Sequence, residues 1–343
     1  MTRIGFQSSP TKDAVRTLWC TPLLTALRDA VERQYFYLGL PGPEARDLTE
    51  WQHLIGRICA FQMLDADAEN EMESLTRLEQ RLADQFTVRG IPCDTFLGFL
   101  EEVMVHGKDA QGKVFVQTSL VTLYQLDFCH ALTDWTSPEV GLNLRYQAIR
   151  SLLQHQSGQP PEEKARPFVI FLTVRDEIDT QSAVEFAGEL VGSPEGVLVQ
   201  QMIDEIPFDD ATRKQIRHPI LKAYAFRTLS GYFRGVHVRT LFLPPVYYVG
   251  NRPQDHMILF CVLGAFDRLS ARAPRTLQTF HEFLRLQGLS LDGNALNPMQ
   301  RCRVETERVW GADRLLAQYI ERFLADPVWT EIPREADAVR TRN

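Results

Sequence analysis

The sequence predicts an α/β protein with a mostly parallel central sheet, an antiparallel edge hairpin and helical extensions at both ends. Three observations carry this. From Tyr35 onward, short runs rich in β-branched and aromatic residues alternate with stretches of helical periodicity. The run PFVIFLTV at 167–174 is apolar without interruption, as expected of a strand buried on both faces of a parallel sheet. Finally, HVRTLFLPPVYYVG and HMILFCVLGAF are separated only by NRPQD, too little chain for a helical crossover, so they should pair as a hairpin at the sheet edge.

Taken in order, Val15, Leu18, Trp19, Leu23, Leu27 and Val31 recur at helical spacing and predict one or two helices feeding a first strand, YFYLGL, at 35–40. Glycines and prolines then break the chain at 39–43, and Glu44 to Ile55 is expected to be a helix with Leu48, Trp51, Leu54 and Ile55 on one face. RICAFQ follows as a strand, then a polar helix from about Glu69 to Gln85, the segment FTVRGIPCD, and a helix from Thr95 to Val105. HGKDAQGK reads as a turn, and VFVQTSLVTLYQLDFC as a central strand. Helices are expected over 142–156, near Asp179 to Val191 and from about Asp210 to Tyr232, with SGQPPEEKAR as a linker. Residues 267–343 return to helix, including ADRLLAQYIERFL, with a frayed end. This gives an N-terminal helical extension (1–34), an α/β domain (35–266) and a C-terminal helical extension (267–343).

The chain has 343 residues, 44% of them hydrophobic, which suffices for a substantial core. No apolar run approaches the roughly 18 to 20 residues of a membrane span, and the N-terminus lacks the order of a secretory signal, so a cytoplasmic protein is expected. The six cysteines are scattered without CxxC spacing and predict reduced, packed thiols rather than disulfides or structural zinc. A net charge of −7 speaks against a surface tuned throughout for nucleic acid, although a local basic face, as around Arg227, Arg234, Arg239 and the terminal RTRN, could still contact it. Motifs for a P-loop, a zinc protease or a serine nucleophile elbow are absent, and no metal site is expected.

Five strand–helix units followed by a hairpin resemble the class I S-adenosylmethionine-dependent methyltransferase fold, a Rossmann-like architecture, over Tyr35 to Phe266. The chain is also loosely similar to bacterial three-Cys-motif partner proteins. The resemblance implies S-adenosylmethionine as cofactor. It places the family's glycine-rich turn at Gly39, Leu40, Pro41, Gly42, Pro43 and Glu44, where prolines replace the usual glycine spacing and remove N–H donors. A tight turn with no ligand is the alternative. Gln62 falls where the family carries an acidic ribose ligand, and otherwise it ends a strand facing water. Asp94, expected after a strand and at the start of a helix, falls where an acidic residue accepts from the adenine amino group, although helix capping would equally use it. Phe96 could stack on a base or belong to the core. Asp127 and Phe128 fall where amino-methyltransferases hold a polar acceptor beside an aromatic surface, without the two prolines usual there; Tyr124 and His130 are close in sequence. Here the alternative is that Asp127 caps a turn and Phe128 is buried. Cys129 as a nucleophile is a weaker idea, since no partnering base is identifiable.

Two functions from different classes follow. One is an S-adenosylmethionine-dependent methyltransferase or methyltransferase-like protein, acting on a nucleobase or nucleic acid. The other is a non-catalytic Rossmann-like subunit of a bacterial multi-protein complex, bound to a protein partner and concerned with foreign DNA, and it is favoured by the missing glycines and by Gln62.

Overall fold

A computed structural model describes residues 9–31, 34–62, 68–133, 144–160, 164, 166–177, 185–186, 188–194, 196–197, 201, 217–250, 256–266, 280–286, 288–291, 297–310 and 314–324. Its frame is a nine-stranded sheet: β1 (Tyr35–Gly39), β2 (Ile55–Gln62), β3 (Cys93–Leu97), β4 (Leu123–Ala131), β5 (Phe168–Arg175), β6 (Val238–Phe242), β7 (Val246–Val249), β8 (His256–Phe266) and β9 (Leu289–Ser290). The strand order is β3-β2-β1-β4-β5-β8-β7-β9, with β6 also paired to β8. The first five strands are mutually parallel, and β8 runs antiparallel to β5 and to both β6 and β7. This is the Rossmann-like α/β architecture with an antiparallel hairpin that the sequence predicts.

The expected hairpin forms with one refinement. Phe242 faces Val262 and Val246 faces Leu259, so three residues on one side oppose two on the other. The extra residue falls in Leu243-Pro244-Pro245, where prolines donate nothing to a ladder, and the strand is split into β6 and β7. The short β9, which joins β7 in parallel, was not expected from the sequence.

Strand alternation builds two cores, one on each face. Tyr35, Tyr37, Ile58, Ala60, Leu123, Val169, Phe171, Cys261 and Leu263 face one side. That side is covered by α1 (Pro10–Val15), a π-helical turn (Arg16–Cys20), α2 (Thr21–Leu27), α3 (Arg46–Glu50), α4 (Ala68–Gln85), α9 (Pro298–Trp310) and α10 (Arg314–Leu324). Leu38, Cys59, Phe61, Tyr124, Leu126, Phe128, Ile170, Leu172, Ile258 and Phe260 face the other. There α5 (Leu100–His106), α6 (Leu144–Ser157), α7 (Arg217–Gly235) and α8 (Phe280–Arg285) complete a three-layer sandwich. The two terminal helical segments thus pack together as one layer, with Trp19 against Trp310 at 4.6 Å between ring centroids.

Four sequence expectations are corrected. The helix expected over Glu44 to Ile55 is only α3, five residues long, entered through Ala45 with φ +45°. Trp51 turns the chain instead: its indole N–H reaches Thr21 Oγ1 at 3.0 Å, and Leu54 N–H donates to the Trp51 carbonyl at 2.8 Å, delivering Ile55 directly into β2. Second, FTVRG forms a 3-10 turn (Thr87–Arg89) ended by Gly90 at φ +76°, and the strand is CDTFL. Third, the helix expected from Thr95 begins at Leu100, because β2 and β3 pair as far as Gln62 and Leu97 and Gly98, at φ +142°, ends the strand. Fourth, of VFVQTSLVTLYQLDFC only the part from Leu123 belongs to the sheet, as β4. The helix near Asp179 to Val191, the start of the Asp210 helix, the NRPQD loop and the chain end after Leu324 lie wholly or partly outside the described residues.

Candidate functional site

A parallel sheet in this order has one place where neighbouring connections leave in opposite directions, between β1 and β4, and a crevice beyond the strand ends there is where such folds hold ligands. In this chain the crest is defined by register. Gly39 pairs with Gln125, so β4 continues past the end of β1 with Asp127, while β2 and β3 end level with each other at Gln62 and Leu97. Pro41, Gly42, Glu44, Gln62 and Asp127 are therefore all placed at the carboxyl end of the sheet. Gln62 and Asp127 are buried, and Glu44 is exposed with its carboxylate 3.8 Å from Arg81.

Asp94 is not with them. It is the second residue of β3, paired with Cys59, three residues short of Leu97 and thus about 10 Å down the strand at ~3.3 Å per residue. It caps no helix; its carboxylate lies 3.7 Å from Arg57. The signal that marks the real strand end is Gly98. The buried carboxylate at that end is Asp109, which accepts from the Leu97 N–H at 3.0 Å, Gln111 N–H at 2.9 Å and Lys113 N–H at 2.8 Å. Those bonds commit it to holding the loop onto β3.

Phe128 is likewise corrected. One residue after Asp127, it points to the opposite face and lies in the core, with the Arg145 guanidinium 5.7 Å from its ring centroid. Its ring therefore offers no surface at the crest. Phe96 is core too, stacked on Phe61 at 5.2 Å. Cys129 and His130 side chains lie outside the described residues.

Gly39 is demanded by the neighbouring strand. A Cβ there would stand 2.4 Å from the Gln125 carbonyl oxygen, and that oxygen also accepts the Leu40 N–H at 3.0 Å. Gly39→Ala is expected to lower stability by about 1–3 kcal/mol through overpacking between β1 and β4, read as a fall in the urea midpoint at constant m-value; an unchanged midpoint would mean that the two strands spread at no cost. In the turn, Gly42 at φ +65° supplies the left-handed step, and its carbonyl accepts Ala45 N–H at 3.1 Å.

The charged residues that sequence reasoning missed come from α1 and from Arg16, its C-cap and the first residue of the π-helical turn. Lys12 forms an ion pair with Asp127, and Arg16 with Asp47 in the first turn of α3. Asp13 joins Arg16 at 2.5 Å and Arg46 at 3.1 Å. Beneath α1, the Tyr37 hydroxyl, Gln125 Oε1 and Asp127 Oδ1 are buried without a hydrogen-bond partner among the described residues. Burial raises the Tyr37 hydroxyl well above its ordinary value, and the charges of Asp47 and Asp127 push the same way. The available signal was TKDAVR, with a lysine and an arginine four apart on a helix otherwise apolar toward the core.

On the other face, Arg145 and Glu101 form a buried pair at 3.1 Å, and Arg145 also donates to the Ala131 carbonyl, fixing the end of β4. Among the described residues no group of three or more His, Cys, Asp or Glu side chains is placed to hold a metal ion. Cys20, Cys59, Cys93, Cys261 and Cys302 are free thiols. Burial pushes the Cys261 thiol up to about 12 and the Cys302 thiol up to about 11, so neither is a ready nucleophile. Among the described residues no helix is long and apolar enough to cross a membrane. The expected arginine-rich face divides: Arg227 and Arg234 are exposed on α7, whereas Arg239 lies across the sheet with its guanidinium 5.5 Å from the Phe323 ring centroid.

The fold and crest together define a Rossmann-like α/β protein whose five parallel strands and following hairpin have the arrangement expected from the methyltransferase resemblance. No family model and no curated protein matches the chain. Solved structures similar to it include an rRNA methylase from Streptococcus thermophilus, at 11% identity over 72% of this chain and 97% of that one, with a TM-score of 0.36. Another is an amino pentose methyltransferase from Micromonospora echinaspora with S-adenosylmethionine bound, at 12% identity over 47% of this chain and 50% of that one, TM-score 0.27. A third is the mitomycin 7-O-methyltransferase MmcR, at 11% identity over 70% of this chain and 53% of that one, TM-score 0.31.

Proposed function

We propose that this chain is a methyltransferase-like protein that binds S-adenosylmethionine at the carboxyl ends of β1, β2 and β4. The observation that supports it is the crest itself: strand order reverses between β1 and β4, and the Pro41–Gly42 turn, Gln62 and Asp127 reach that end of the sheet. In this reading Gln62 contacts the ribose, the 39–44 turn faces the methionine moiety, and Asp127 stands on the acceptor side. An amino group on a nucleobase is the acceptor we favour. Methyl transfer from a sulfonium asks mainly for alignment and a polar acceptor site, so Asp127 and its neighbours need only hold the acceptor and receive its proton. Asp94 has no part in it.

Thermal unfolding with S-adenosylmethionine and S-adenosylhomocysteine tests the reading. At 100 times the dissociation constant the stabilisation should be about 2.7 kcal/mol; no shift at millimolar ligand would end the proposal. Gln62→Ala should weaken binding and Asp94→Ala should leave it unchanged.

A second reading, a non-catalytic Rossmann-like subunit of a bacterial multi-protein complex concerned with foreign DNA, is favoured by one observation. Lys12 already engages Asp127, the group an acceptor would need. The two readings part at the same titration, since a subunit of that kind would give no shift.

A further inference from the structure

The geometry points to α1 as a strap across the ligand crevice, latched by Lys12 on Asp127, that must lift for a ligand to enter. This rests on the ligand site proposed above and concerns its regulation. One short helix, with Arg16 as its C-cap, ties the elements on either side of the switch point between β1 and β4. On one side Lys12 grips Asp127, two residues beyond the point where β1 ends against β4. On the other, Arg16 grips Asp47, and Asp13 bridges Arg16 and Arg46, so α1 is fastened to the first turn of α3. Three carboxylates, Asp13, Asp47 and Asp127, meet three cations, Lys12, Arg16 and Arg46.

The two ties are unequal. The Arg16 and Asp47 side chains are 8% and 5% exposed, whereas that of Lys12 is 27% exposed. Water reaches the Lys12 end and screens its pair, so that end opens first. The residues after α1 suit such a movement: Arg16 to Cys20 form a π-helical turn, a break in regular helical bonding that recurs at functional sites. On the face that the strap covers, the Tyr37 hydroxyl, Gln125 Oε1 and Asp127 Oδ1 are buried polar atoms without a hydrogen-bond partner among the described residues. A polar ligand entering there would supply hydrogen bonds that closure does not, which is the differential interaction a ligand needs to shift the equilibrium.

The experiment compares Lys12→Met with the unaltered protein by hydrogen exchange and by calorimetry with S-adenosylhomocysteine. Unlatching should speed exchange of the amides of residues 10–20 about fivefold with β4 unchanged, and should tighten binding about threefold, because the closed state no longer competes. Lys12→Arg, which keeps the pair, should behave as the unaltered protein. Unchanged exchange and affinity in Lys12→Met would overturn the strap, and weaker binding would overturn it by making Lys12 a ligand contact. Faster exchange with no binding to either protein would support a movable α1 and overturn the cofactor reading alone.

Discussion

Glu101→Leu is expected to lower stability by about 3–5 kcal/mol, because it removes one partner of a buried ion pair and leaves the Arg145 charge in the interior. Both side chains are almost fully enclosed, 3% and 2% exposed, and the pair links the first turn of α5 to the second residue of α6. Arg145 is held as well by the Ala131 carbonyl and lies against Phe128, which keep its guanidinium inside the protein. Adding Arg145→Met should recover much of the loss, since apolar replacements of both partners are commonly tolerated. A urea double-mutant cycle measures this, and a loss below about 0.5 kcal/mol for Glu101→Leu would show that Arg145 finds solvent. The pH dependence has a definite sign. Burial pushes the Glu101 carboxyl above its ordinary 4.5, against the downward pull of Arg145. The folded state therefore binds this proton more tightly than the unfolded chain. The proton-linked part of the stability from Glu101 is fully present below about 4.5 and is lost as pH rises through the raised value, a slope the leucine variant should lack.

Trp19→Ala should cost a similar amount, about 3–5 kcal/mol for removal of a buried indole and the cavity it leaves. Trp19 is 1% exposed and packs on Trp310, while its N–H meets Cys261 Sγ at 3.4 Å. It lies in the N-terminal segment and touches both the C-terminal segment and the middle of β8. A single cooperative urea transition should shift to lower midpoint with loss of near-ultraviolet dichroism. A loss under about 1 kcal/mol would mean that the helices collapse into the space.

The framework was legible where one physical signal dominates. PFVIFLTV reads as a doubly buried strand because burial on both faces removes any alternation, and β5 is found there. The hairpin was legible because NRPQD is too short for a crossover. Boundaries failed where two signals competed. Asp94 looks like a cap, yet Gly98 ends the strand, since pairing to β2 extends β3 and a backbone at φ +142° stops it. The Glu44 to Ile55 periodicity was real, and Leu48, Trp51, Leu54 and Ile55 are all buried, but an indole pinned to Thr21 bends the chain after five helical residues. The site was less legible because its charges are paired over long separations. Lys12 and Asp127 are 115 residues apart, and no local spacing links them.

The shared terminal layer has a consequence for synthesis. Trp19, Leu23 and Cys261 share a core with residues of α9 and α10, which are synthesised after every strand of the sheet. Until then one side of an otherwise assembled sheet is only partly covered, and a nascent chain of this kind is a natural client for chaperones that shield exposed hydrocarbon. Quality control during translation therefore bears on this protein chiefly in the interval before α9 and α10 have been made and the sheet is sealed.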